Sequence, residues 1–148
     1  MSLGRAAQEQ WHSRSRRQSS TGDKIVRQRR LEMTAEAEAL AQVLLNHQRS
    51  IRRPPEDRPK DPRPFTLQYK WLCERAGVPH LTPFVGRYLQ QIAEWCVKNG
   101  WPPINSLAVN KTGVPGGGYD GAPLCDLLHW PQQASDSIVF AHYPRTVS

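Results

Sequence analysis

The 148 residues carry 20 Lys and Arg against 13 Asp and Glu, a net charge of +7, and are only 38% hydrophobic with 13 prolines. That length allows one domain with its own core, but a core built from so few apolar residues does not use the whole chain. No apolar run approaches the ~20 residues of a membrane span and no secretory apolar segment opens the chain; Cys73, Cys96 and Cys125 lack CxxC spacing, so a soluble, cytoplasmic protein without a membrane partner is expected.

The charge is gathered at one end. Residues 1–31 hold 8 Lys and Arg against 2 acids, residues 32–64 hold 6 against 6, and residues 65–148 hold 6 against 5. The first segment mixes Arg, Ser and Gln with almost no aliphatic residue before Ile25, too little apolar surface to offset the entropy of ordering, and reads as a flexible, disordered basic arm. Arginine clusters displace counterions from nucleic acid, so Arg14, Arg16, Arg17, Lys24, Arg27, Arg29 and Arg30 are candidate phosphate contacts; a solvated tail is the alternative.

Residues 32–53 read as a helix, strongest over Thr34 to Ile51. Thr34 can cap it, Glu36 and Glu38 suit its positive end, and Leu40, Val43, Leu44 and Ile51 share one face, with His47 on or near that face as a packed residue. Residues 54–64 follow as a proline-rich, extended linker. A compact α+β domain is expected over 65–148. Thr66 to Ala76 spaces Phe65, Tyr69, Leu72, Cys73 and Ala76 as one helical face ending at Gly77. A further helix is expected with Thr82 as cap and Pro83 at its first position, carrying Val85, Leu89, Ile92 and Cys96 inward and stopped by Gly100 and Pro102-Pro103. NSLAVNK reads as a short strand, VPGGGYDG as a loop, APLCDLLHWP as two helical turns with Leu124, Leu127 and Leu128 inward, and SIVFAHYP as a second strand. The expected fold is α+β: a helix-rich single domain with a short two- or three-stranded antiparallel sheet and a disordered basic N-terminal arm.

The pair of helices around Gly77 resembles a helix-turn-helix, with a turn longer than the usual span of about 3 to 4 residues. That resemblance implies base-edge contacts from Arg87, Gln90 and Gln91 on the second helix. The order strand, glycine-rich turn and helix suits a nest of backbone amides for phosphate, which makes Asn110, Lys111, Gly116, Gly117 and Gly118 a candidate loop site; GVPGGGYDG nevertheless matches neither G-x-G-x-x-G nor the Walker pattern. Cys125 and His129 stand four apart and could pair as thiolate and base. The bland reading is a buried cysteine beside a surface histidine. The five histidines have no ligand spacing, so no metal and no cofactor is expected.

The run QQIAEWCVKNGWPPINSLAVNKTGVPGGGY, through Asn99-Gly100, Pro102-Pro103, Asn105, Leu107, Val109, Asn110, Gly113, Pro115-Gly116 and Gly118, resembles a pattern in small uncharacterised proteins of bacterial and phage genomes. It implies a bacterial or mobile-element setting and carries over no catalytic residue. The leading expectation is therefore a nucleic-acid-associated accessory or regulatory protein rather than an enzyme. The alternatives are a protein-binding inhibitor module that grips an acidic surface, as a phage anti-defence protein would, and a hydrolase using the Cys-His pair.

Overall fold

The computed structural model describes residues 33–52 and 58–147. The seven arm cations and the first prolines of the linker lie outside the described residues.

Among the described residues four α-helices surround one core: α1 Ala35–Ser50, α2 Tyr69–Arg75, α3 Val85–Asn99 and α4 Trp130–Val139. Local chemistry sets most of their ends. Thr34 caps α1 by accepting from the Ala37 amide at 3.2 Å, with Glu36 and Glu38 in the first turn. Gly77 and Gly100 end α2 and α3 with left-handed φ of 78° and 76°. In each case both bonds of a Schellman motif form: Val78 N–H to the Cys73 carbonyl at 2.9 Å with Gly77 N–H to the Glu74 carbonyl at 3.1 Å, and Trp101 N–H to the Cys96 carbonyl at 2.9 Å with Gly100 N–H to the Val97 carbonyl at 3.1 Å. Gly100→Ala places a Cβ in that region and is expected to cost about 1–2 kcal/mol, read as a lower urea midpoint with unchanged slope.

The apolar stripe of α3, Val85, Leu89, Ile92, Ala93 and Cys96, is buried against Leu40, Leu44 and Leu45 of α1 and against Ile104 and Leu107. Helix α1 thus shares one core with the rest. Residues 58–64 also lie on the body: Pro62 is fully buried, Ser135 Oγ donates to the Pro59 carbonyl at 2.7 Å, and Arg58 pairs with Asp136 at 2.6 Å. Gln48 Nε2 of α1 donates to the carbonyls of Ser137, Ile138 and Phe140, satisfying acceptors that the end of α4 leaves open. His47 is held the same way, its Nε2 2.7 Å from the Phe65 carbonyl.

The sheet corrects the antiparallel expectation. Its two strands among the described residues, β1 Leu67–Gln68 and β2 Ala108–Val109, pair in parallel, Leu67 opposite Ala108 and Gln68 opposite Val109. Two helices stand between them, and a long crossover lets two strands run the same way where a tight hairpin cannot. β1 takes the residues expected as the first turn of α2. SIVFAHYP is not a strand in any part: Trp130, Ala134, Ser137 and Ile138 are buried at helical spacing, α4 runs to Val139, and the described residues after it pair with no strand. Pro131 begins that helix instead of ending one, because a proline in the first turn has no amide to satisfy. The turns expected over APLCDLLHWP reduce to the 3₁₀ segment Leu127–His129, and Leu124 and Leu128 face solvent. Thr82 sits inside a 3₁₀ segment, Pro79–Phe84, and donates back to the Pro79 carbonyl at 2.8 Å rather than capping α3.

Candidate functional site

Helix α3 positions the candidate residues. One side of its first turns, at Gly86 and Gln90, meets the glycine-rich segment Gly116–Gly121, where a Cβ at Gly121 would stand 2.9 Å from Gln90 Nε2. A side chain there would require the amide end of Gln90 to shift. Gln90 Nε2 also donates to the Gly118 carbonyl at 3.3 Å, and the Gly116 amide donates to the Tyr69 hydroxyl of α2 at 2.8 Å. The neighbouring side of α3 is different. Gln91 Oε1 accepts from the Thr34 amide at 2.9 Å, which fixes the start of α1 to α3, while Arg87 one turn earlier is exposed. Phe84, just before the helix, is 59% exposed. Phe84, Arg87 and Gln91, at i, i+3 and i+7, fall on one face that leads to the point where the chain enters the body.

Of the helix-turn-helix candidates, Gln90 and Gln91 thus hold other parts of this chain, and Arg87 is exposed. The two helices are separated by residues 76–84, most of them in the 3₁₀ segment. The loop candidates are also engaged. Asn110 Oδ1 accepts from the Thr112 amide at 2.9 Å, and the amides of Asn110, Gly113 and Gly116 donate to the Val114 carbonyl, the Asn110 carbonyl and the Tyr69 hydroxyl. Those amides do not form an open nest for an anion, and Lys111 and Gly117 are exposed.

Between α2, the start of α3 and the glycine-rich segment lies a cleft of about 230 Å³ whose lining includes Tyr69, Pro83, Gly86, Asn105 and Tyr119. Asn105 is buried in the 3₁₀ segment Ile104–Leu107. Its Nδ2 donates to Cys125 Sγ at 3.6 Å, and its Oδ1 is buried with no hydrogen-bond partner. Tyr119 donates through its hydroxyl to Gln133 Oε1 at 2.6 Å, and Gln133 Nε2 donates to the Leu124 carbonyl at 2.9 Å, so α4 holds the segment in place.

Cys125 and His129 do not come together as nucleophile and base. The thiol is buried beside Asn105, and burial pushes it above the ordinary thiol range, so it is protonated at neutral pH. His129 Nδ1 lies 3.0 Å from Asp126 Oδ2 on the surface. That hydrogen bond, with the Leu128 amide as a second donor, holds the Asp126 carboxyl below its ordinary value. Among the described residues no three His, Cys, Asp or Glu side chains gather as metal ligands do, and no helix is long and apolar enough to cross a membrane. Neither a protein-family model, nor a curated protein, nor a solved structure matches the chain.

Sequence reasoning placed Asn105 in the run that carries the resemblance without giving it a role, and passed over Phe84. The available signal for Asn105 was an amide inside the apolar run INSLAV, where a polar side chain needs a reason.

Proposed function

We infer that the protein binds nucleic acid through its basic N-terminal segment, with Arg87 and Phe84 extending the binding face onto the body. The observation that carries this reading is the charge distribution: residues 1–31 hold 8 of the 20 Lys and Arg and only 2 acids, against a body close to neutral. The layout of the body supports it. The basic segment meets the body at Thr34, beside Gln91, on the face that also exposes a cation and an aromatic ring. An exposed ring of that kind is a stacking platform for a base. Three free, buried cysteines suit a reducing, cytoplasmic setting, and the action is accessory or regulatory, in a bacterial or mobile-element system. The test is to titrate the intact chain with a single-stranded oligonucleotide at several salt concentrations. Seven arm cations at roughly 0.7 each give an expected slope of log K on log salt of about −5. A flat dependence would remove the reading.

A protein-binding module is the second reading, and one observation favours it: Leu128 is 81% exposed and Leu124 46% exposed with a left-handed φ of 59°. A partner on that face would be captured in a nuclease-treated pull-down and lost with Leu128→Ser.

A further inference from the structure

We propose that the cleft beside α3 receives one unpaired nucleobase, an uncharged planar heterocycle that presents an N–H next to a ring acceptor. The starting point is Asn105. Its amide is 2% exposed, one end is committed to Cys125 Sγ, and Oδ1 has no partner. A buried acceptor left unmade is costly, and native proteins keep few of them. A ligand N–H satisfies it. Tyr69 supplies the complement: its hydroxyl oxygen accepts from the Gly116 amide, which leaves its own hydrogen to donate to a ring acceptor.

The other features narrow the ligand. No residue lining the cleft is charged, so a charged ligand would lose its hydration without a counter-charge. The volume, about 230 Å³, suits a ligand on the order of ten non-hydrogen atoms, below the range of larger small-molecule sites. Two tyrosine rings line the space, and Phe84 stands exposed between Pro83 and Val85, which both line it. Unpaired bases are read in this way, by stacking together with hydrogen bonds to their edges. Oδ1 is itself covered, so a base meets it as the glycine-rich wall yields.

The same chemistry has two sources, a free nucleoside or a base splayed from a strand, and only the second rests on the nucleic-acid reading above. The face from Thr34 through Gln91 and Arg87 to Phe84 leads to the mouth of the cleft and would deliver that base.

The experiment is a titration of the intact chain with uridine, adenosine and a single-stranded eight-nucleotide oligonucleotide, followed by backbone and side-chain amide shifts. Two variants accompany it. Asn105→Leu removes the acceptor. Gly86→Leu adds a side chain at the lining, where a Cβ itself meets nothing within 4 Å, and unchanged thermal unfolding is the check that the variant folds. Saturable shifts at Gly86, Gly116 and the Asn105 amide with a nucleoside, with affinity reduced at least tenfold in both variants, establish the free-base source. The same shifts and losses with the oligonucleotide alone establish the strand source. Nucleoside binding without oligonucleotide binding keeps the cleft assignment and removes the nucleic-acid reading. Oligonucleotide binding that both variants retain, without shifts at the cleft, overturns the cleft assignment and leaves the arm reading standing. Binding of neither ligand, or nucleoside binding untouched by both variants, overturns it as well.

Discussion

Raising the pH of the intact protein from about 9 to about 12 is expected to destabilise it, because burial holds the thiols of Cys73, Cys96 and Cys125 above their ordinary value, Cys96 furthest. The Cys96 thiol is fully buried in α3 and burial pushes it up from 9.0 to about 12. A folded-state value above the unfolded one means that stability is fully present below pH 9 and is lost as the pH rises toward 12, because the unfolded chain releases its proton first. Three units correspond to a loss on the order of 4 kcal/mol, a large part of the stability of a domain of this size. The Tyr119 and Tyr143 hydroxyls act in the same direction from pH 10 upward, since burial raises both. Urea midpoints at about pH 7, 9 and 11 read the effect directly. They are expected to fall steeply in the last interval, and Cys96→Ala is expected to flatten the part that begins near pH 9. A midpoint unchanged between pH 9 and 11 would contradict the packing of Cys96 described above.

Replacing Arg14, Arg16, Arg17, Lys24, Arg27, Arg29 and Arg30 together by glutamine is expected to lower affinity for a single-stranded oligonucleotide by about three to five orders of magnitude at roughly 0.1 M salt. Each cation that meets a phosphate releases condensed counterions, and the gain is entropic and additive to first order. Arg87→Gln, one contact, is expected to cost only about fivefold. The core side chains that hold the body together lie within residues 37–138, so urea unfolding of the sevenfold variant should match the parent. A loss no larger than that from neutralising Arg75 and Arg145, exposed cations away from that face of α3, would show that position in the chain does not matter and would defeat the reading.

How much of this was legible in the sequence depended on how local the cause was. Thr34 as a cap and Gly77 and Gly100 as stops were readable because capping chemistry involves only a few neighbouring residues. The stripe of α3 was readable because Val85, Leu89, Ile92 and Cys96 recur at helical spacing over about three turns. The sheet was not. Strands of two residues carry no period, and Ala108 is as buried as its neighbours Leu107 and Val109, so no alternation marks the strand. SIVFAHYP alternates, yet Trp130 and Ala134 upstream set a helical register that carried through Ile138. The cleft depended on distance along the chain. Asn105 meets Cys125 across 20 residues, and Gly116 meets Tyr69 across 47. No local pattern reports such pairs, and the fold alone brings them together. Gln91 shows the converse: its exposed-looking position on α3 suggested a base contact, whereas the structure uses its side chain to fix Thr34.

On the function proposed above, nucleic acid lies on one face of the body, from Thr34 through Arg87 and Phe84 to the cleft at Gly86 and Asn105. The most direct measurement maps amide shifts across residues 33–147 of the intact chain during titration with a single-stranded oligonucleotide. The predicted result is saturable shifts concentrated at Phe84, Gly86, Arg87, Gly116 and Gly118, fading as salt is raised. Shifts concentrated instead around Leu124 and Leu128, or none on the body at all, would contradict it.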